Sequence, residues 1–577
     1  MPPRTLKDPV TFEVVRNALI SAADEMASTV VRTAHSQVLR DSLDFSTALC
    51  DGRGRLIAQG LCLPLHLGAI PEAMGAVLAK YDGRINPGDV FMHNDPLEGG
   101  THLPDIFMFK PVFVGGRRVA FAACVAHYPD IGGRAAGGNA VDSTEIYAEG
   151  LQIPILKLYD GGQFNETLAA LLAKNVRLPK QVMGDMRAQL AACHIGETRF
   201  LELVERYSMD KLDETIDDIL DYAEHMVRAE LRRIPGGTYA FTDHIDDDGF
   251  GSGPIPIAVS LTIADGEVRA DFEGTSPQVR SALNATPSFV KSAVYIAVKC
   301  VLDQGIPAND GFYRPFTVRI PEGSILNPHH PAPRAARGLT GYRIIDAVFG
   351  ALHQAIPDRV CAAGEGGPTM IAVGGTHADH RPFVFVEFDG GSWGGRPGLD
   401  GVDGTTPIGA NLANVPVEEI ELHQPIQVRA YGFVADTGGP GRWRGGLSIL
   451  RELRLLEKDA VLQIRSDRRR FRPYGLSGGG PGAPSMNVLN PGAGEEPLPT
   501  TITRPIREGD LLRHVTAGGG GFGDPLDREP EAVLHDYLDA KITARHAEQA
   551  YGVVIDARAG IDFDATRRLR AKRREHS

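Results

Sequence analysis

Residues 93–133 read HNDPLEGGTHLPDIFMFKPVFVGGRRVAFAACVAHYPDIGG. The segment carries His-x-x-Asp twice, as His102 with Asp105 and as His127 with Asp130. Two apolar runs, 106–114 and 119–126, lie between the copies and flank Gly115-Gly116. Glycine adopts positive φ at little cost, so this pair predicts a two-residue hairpin turn. The apolar, β-branched and aromatic flanks predict buried strands. With Gly115 and Gly116 as the turn, Val114 faces Arg117, His127 falls opposite Pro104, and Asp130 falls opposite Thr101 beside His102. Directly opposed residues stand ~5 Å apart and diagonal ones ~7–8 Å. Two histidines and two carboxylates therefore gather at the open end of one hairpin.

A mixed nitrogen and oxygen set of this kind suits Mn, Zn or Fe(II), whereas Mg and Ca prefer all-oxygen shells. A single histidine beside a strand is more often a hydrogen-bonded structural residue. Four candidate ligands converging on one hairpin end favour a metal site. Within it, Asp130 is either a fourth ligand or a partner that orients a ligating histidine.

Working toward the N-terminus, Asp8 can cap a helix opened by Pro9, and Phe12, Val15, Leu19, Ala22, Met26 and Val30 recur at helical spacing to about Ala34. A second hairpin follows as FSTALCD and RLIAQG around 52–54. Asp41, Asp44 and His66 flank it. The aspartates read first as turn caps, and His66 as a residue of the metal cleft and a catalytic candidate along with Asp130. Residues 139–153 read as a segment closing over the site, where Glu145 and Glu149 are either a general base or a solvated face.

Toward the C-terminus, 163–233 reads as two or three helices, with His194 a surface or packing residue. VSLTIADGEVRADFEG (259–274) reads as a hairpin turning at Asp265-Gly266, and a helix is expected at about 288–302. The aspartates at 246–248 lack the spacing and closing Glu of a calcium loop and read as a charged turn. Residues 305–460 read as short strands among Gly and Pro, with 390–404 neither helix nor strand. RSDRRRFRPYG (465–475) reads as a solvated basic turn or as an anion or partner contact. GGGGFG (518–523) matches a dinucleotide fingerprint as a string only, since no strand-turn-helix surrounds it. A helix opening at Pro530 and stopping at Gly552 ends the fold, and the basic tail 567–577 is expected to fray.

The chain has 577 residues, too many for one core. Its 42% hydrophobic and 23% charged residues mark a globular protein. A net charge of −13 argues against nucleic acid as the main partner. No apolar run reaches the ~18 residues of a membrane span, and MPPRTLKDPVTFE lacks the apolar core of a signal peptide. Six cysteines (50, 62, 124, 193, 300 and 361) form no C-x-x-C pair and read as buried thiols of a reducing cytoplasm. No G-x-x-x-x-G-K-[ST] string is present, so a P-loop is not expected.

The blocks NDPLEGGTHLPD and AHYPDIGG resemble the hydantoinase B / oxoprolinase family. So do RDSLDFSTALCDGRGRLIAQG, LPLHLGAIPEAM, DFEGTSPQVRSALNATPSFVKSAVYIAVK, GGRPGLDGVDG, NLANVPVEEIELHQP, GGPGRWRGG, GGGGFGDPLDREPEAV and AYGVVI. The resemblance spans nearly the whole chain in the family's order. That family includes B subunits of ATP-dependent N-methylhydantoinases, the C-terminal part of 5-oxoprolinase and alpha-type subunits of acetone carboxylase. It implies a metal held by His102, Asp105 and His127, the residues the hairpin brings together. It also implies an A-type partner subunit that binds ATP and Mg and phosphorylates a substrate oxygen, after which this chain opens a cyclic amide. The alternatives are an ATP-dependent ketone carboxylase, a 2-His-1-carboxylate Fe(II) oxygenase and a scaffold subunit with a structural metal. The expected fold is a multi-lobed mixed α/β (α+β) chain. It comprises an N-terminal α/β metal-binding lobe (1–160), a helical segment (161–233), a β-rich α/β region with Gly-rich loops (234–460) and a C-terminal β region ending in helices (461–577).

Overall fold

In a computed structural model, residues 8–60, 63–492 and 494–575 are described; Met1–Lys7 and Cys62 lie outside them. The Asp8 side chain accepts from Thr11 N (3.0 Å) and Pro9 opens the helix Pro9–Thr33. Phe12, Val15, Leu19, Met26 and Val30 are buried along one stripe of it. That stripe and the helix Pro179–Tyr207 cover one face of a seven-stranded sheet.

The sheet runs β2-β1-β5-β4-β3-β6-β7, antiparallel throughout. Its strands are β1 (Phe45–Asp51), β2 (Leu56–Gln59), β3 (Val90–His93), β4 (Asp105–Val114), β5 (Arg117–His127), β6 (Leu156–Asp160) and β7 (Gln163–Phe164). Ile106, Met108, Ala122 and Cys124 pack toward those two helices. Phe107, Phe109, Phe121 and Val125 pack on the other face with Met74 and Val77 of the helix Ile70–Tyr81. Burial on both faces explains why β4 and β5 read as continuous apolar runs rather than alternating ones.

The predicted hairpin is present, with Gly115 and Gly116 at φ 55° and 80°. Its register differs by one residue at the far end. Val114 pairs with Arg117 as expected, but Val112 pairs with Ala120, so Val119 is an extra residue on β5. A bulge of this kind moves every later position onto a new partner. His127 consequently stands opposite Asp105 instead of Pro104.

The expected helical segment consists of the helices Glu166–Asn175, Pro179–Tyr207 and Met209–Leu231. A four-stranded sheet follows (Gly237–Ile245, Ile255–Ala264, Glu267–Asp271 and Phe316–Arg319), with Asp265 and Gly266 at positive φ in the predicted turn. It packs on the helices Pro287–Val301 and Arg337–His353.

The helix Arg337–His353 was not expected in a region read as short strands. Every residue from Arg337 to Leu352 is buried, so it has no polar face and no amphipathic period to betray it. Its glycines seat neighbouring rings: a Cβ on Gly341 would lie 2.2 Å from Phe289, and one on Gly350 2.5 Å from Phe241.

Beyond this helix, a four-stranded sheet (Thr369–Thr376, Pro382–Asp389, Asp459–Arg465 and Thr501–Arg507) shares a core with a five-stranded one. The stretch 390–404 does contain strand, as Gly391–Ser392 pairs with Asp403–Thr405. Glycine-rich segments at 438–446, 475–482 and 518–523 pack backbone against backbone. A Cβ on Gly445 would lie 1.9 Å from the Gly519 carbonyl oxygen, and one on Gly520 2.0 Å from that of Tyr474. GGGGFG is thus a packing element. The C-terminal stretch does not fray where expected: Asp562 caps the helix Phe563–Arg574, and Arg570 donates to the Tyr551 and Arg528 carbonyls. The whole is a mixed α/β architecture of several sheets.

Candidate metal centre

The β4–β5 pairing sets His127, the last residue of β5, against Asp105, the first of β4. His102 lies one turn earlier, and its carbonyl accepts from Asp105 N (3.1 Å). Asp105 Oδ1 is 3.1 Å from His102 Nε2 and 3.1 Å from His127 Nδ1, and the two nitrogens are 3.2 Å apart. Ligand atoms about 2.0–2.2 Å from one ion must lie near 3 Å from each other, which these edges satisfy. All three residues are buried.

The protonation pattern strengthens the case. His102 Nδ1 is 3.0 Å from the Ala335 carbonyl, which can only accept, so Nδ1 carries the hydrogen. Burial, then the charge of Arg337, pushes the His102 pKa down to about 3. The imidazole is therefore neutral, and its bare Nε2 lone pair faces a carboxylate oxygen. Burial opposes ionisation of Asp105, but the fixed charge of the Arg337 guanidinium bonded to it holds its carboxyl well below the usual range. A lone pair and an anionic oxygen 3.1 Å apart in a dry site call for a cation between them. His127 Nε2 is buried without a partner. The three residues fit a divalent transition ion such as Mn, Zn or Fe(II).

Supporting groups fix this triangle. Arg337 Nη2 and Thr101 Oγ1 both donate to Asp105 Oδ2. Glu149 accepts from Arg334 N (2.7 Å) and Ala335 N (2.8 Å), which anchors the turn before the helix Arg337–His353, whose Ala335 carbonyl orients His102. Burial pushes the Glu149 pKa up to about 8. Glu149 is thus a buried brace rather than part of a solvated face, while Glu145 is exposed.

His66 joins the cleft: its Nε2 is 3.4 Å from Asp105 Oδ2 and 3.9 Å from Asp44 Oδ1. Asp44, read first as a turn cap, is buried with Oδ2 3.8 Å from His127 Nδ1 and Oδ1 without a hydrogen bond. It is a further carboxylate within reach of an ion. The clue in the sequence was its place just before a strand, β1, that pairs with β5. Asp41 instead pairs with Arg40 (2.9 Å).

Asp130 is not brought beside His102. The chain leaves the ladder at Tyr128, and the Asp130 carboxylate is bound by Arg177 Nη1 (2.9 Å) and by the Arg177 and Gly132 backbone amides. The bulge at Val119 and the exit from the strand remove the alignment with Thr101 that the turn alone implied.

The basic cluster at 465–475 is no solvated turn. Arg468 pairs with Asp243 (3.0 Å) and Asp346, and Asp467 pairs with Arg343, all buried. Arg465 reaches the metal cleft. Together with Asp44, His66, His102, His127 and Arg337 it lines a cavity of about 40 Å³.

The sequence profile for Hydantoinase B/oxoprolinase matches residues 8–525. The caprolactamase subunit beta of Pseudomonas jessenii is 34% identical over 585 residues, covering 98% of this chain and 99% of that protein. The crystal structure of the ATP-dependent caprolactamase from Pseudomonas jessenii superposes with a TM-score of 0.92 at 33% identity, covering 98% of this chain and all of that one. A nucleotide-free acetone carboxylase structure shares the fold, with a TM-score of 0.91 at 21% identity over 99% of this chain and 83% of its own. The chain belongs to the hydantoinase B/oxoprolinase family.

Proposed function

We propose that this chain is the B-type subunit of an ATP-dependent hydrolase of cyclic amides, working with an A-type subunit that binds ATP and Mg. The observation that carries the reading is the buried His102, Asp105 and His127 triangle, set in a chain that matches the caprolactamase subunit end to end. Amides resist attack by water. On this reading the partner transfers a phosphoryl group to the ring amide oxygen, making an imidate phosphate. In this chain's cleft, water adds to the activated carbon, the C–N bond breaks and the nitrogen takes a proton. A second water then releases phosphate from the resulting acyl phosphate.

A bound transition ion would supply Lewis acidity toward the substrate oxygen. The chain's own residues do the rest. Arg337 and Thr101 orient Asp105, and Ala335 holds His102 in the Nδ1–H tautomer. His66, with Nε2 3.4 Å from Asp105 Oδ2, is placed to move a proton at the cleft. Phe388, edge-on to His127 at 5.6 Å between ring centroids, helps exclude bulk water. Buried free thiols at Cys50, Cys124, Cys193 and Cys361 support the cytoplasm as its compartment. Among the described residues no helix is long and apolar enough to cross a membrane.

The test is co-expression with an A-type subunit, followed by ATP turnover with hydantoin, N-methylhydantoin, 5-oxoproline and caprolactam. Ring opening coupled to ATP hydrolysis supports the reading. Turnover of a ketone that depends on bicarbonate would replace it with the carboxylase reading.

A further inference from the structure

The described residues include eight buried arginines. Six of them, Arg337, Arg343, Arg444, Arg451, Arg468 and Arg528, pair with carboxylates. Arg334 donates instead to the carbonyls of Ala332 and Pro328. Arg465 differs from all of these. It is 4% exposed, its Nε has no partner, and its one polar contact is a long bond from Nη1 to Asn139 Oδ1 (3.4 Å). Among the described residues no carboxylate lies within 4 Å of it. A buried cation without a counter-charge is costly, and Arg465 sits in the wall of the cavity beside the metal triangle.

Arg337 adds positive potential beside it, and Asp44, across the same cavity and beyond ion-pair distance, offsets only part of that charge. A Cβ built on Gly338 would lie 3.4 and 3.5 Å from the two Nη atoms, so the guanidinium rests on the first turn of the helix Arg337–His353. The N-cap of that 17-residue helix is Ala336, which offers no side-chain cap, and its positive end faces the cavity. Arg337, the next residue, also lines the cavity and keeps an unpartnered Nε.

We propose that Arg465, Arg337 and the start of this helix form a binding subsite for a phosphoryl group beside the metal triangle. The phosphoryl group is that of the activated substrate. The assignment of its carrier rests on the hydrolase reading above, but anion binding itself does not. A planar guanidinium can grip two phosphoryl oxygens at once. Burial, then the charge of Arg337, lowers the Arg465 pKa only to about 10, so it remains a cation at neutral pH.

The experiment uses the full chain loaded with metal and inorganic phosphate as the probe. Thermal unfolding is followed across a phosphate titration for wild type, Arg465→Met and Arg465→Lys. Phosphate is expected to raise the wild-type midpoint. Its apparent affinity should fall roughly tenfold or more in Arg465→Met, with Arg465→Lys between the two. Without phosphate, Arg465→Met should unfold at a higher temperature than wild type, because an uncompensated buried charge is gone. The same phosphate dependence in wild type and Arg465→Met would overturn the subsite. So would a lower phosphate-free midpoint in Arg465→Met, which would mark Arg465 as a structural prop. No turnover or partner enters this measurement. Loss of the subsite therefore leaves the hydrolase reading standing, and a chain that opens no cyclic amide can still show phosphate bound at Arg465.

Discussion

His127 stands directly across the β4–β5 ladder from Asp105, its Nδ1 3.1 Å from Asp105 Oδ1. That pairing depends on the extra residue at Val119. Without the bulge His127 would face Pro104, and its side chain would leave the sheet on the other face.

The first prediction concerns this pair. His127→Ala should fold and lose its metal, as read by elemental analysis of the purified chain. Asp105→Asn should also lose metal but be the less stable variant. It leaves the buried Arg337 guanidinium without its carboxylate, at a cost of about 3–5 kcal/mol in denaturant unfolding. A variant of His127 that keeps full metal occupancy would remove His127 from the ligand set.

His66→Gln tests a different role. His66 touches Asp105 at the edge of the triangle rather than closing it. Metal content should stay near wild type, while turnover with the partner subunit falls by about 10²–10⁴-fold, the usual worth of a positioned proton carrier. Loss of metal in this variant would make His66 a ligand instead.

Asp130→Asn should leave metal content unchanged. Its carboxylate binds Arg177 and two backbone amides, so the variant should lose about 1–3 kcal/mol of stability. Metal loss comparable to that of His127→Ala would contradict the placement.

Stability should fall as pH rises from about 5 to 8, in part through Glu149. Burial pushes its pKa from 4.5 up to about 8. The folded chain therefore keeps a proton there that the unfolded chain releases above 4.5. This contribution is complete below 4.5 and is lost as pH climbs through 8. Asp346 and Asp467, raised by burial to about 8 and about 7, act in the same direction. Glu149→Gln keeps an oxygen acceptor for Arg334 N and Ala335 N without the charge. Its pH–stability curve, measured by urea midpoints, should be flatter than that of wild type.

The glycine-rich packing gives a paired test. Gly445→Ala drives a methyl to within 1.9 Å of the Gly519 carbonyl and should cost about 3 kcal/mol or more. Gly432→Ala has nothing within 4 Å of its new Cβ and negative φ, so its unfolding midpoint should stay near wild type.

What the sequence by itself determined was local. The Asp8 cap, the helical stripe from Phe12 to Val30 and the Gly115-Gly116 and Asp265-Gly266 turns depend on neighbours a few residues apart. One hairpin also carries His102, Asp105 and His127, which brings them to the same end of it. The tertiary structure decided what depends on distant contacts. A bulge at Val119 set the register, because the ladder between β1 and β5 constrains that strand from its other side. The helix Arg337–His353 had no amphipathic signal, because it is buried on every face. Asp44 and Arg465 reach the cleft, and Glu149 braces the turn beside it, from three separate segments of the chain. Their roles follow from burial and from the charges beside them, which no local spacing encodes.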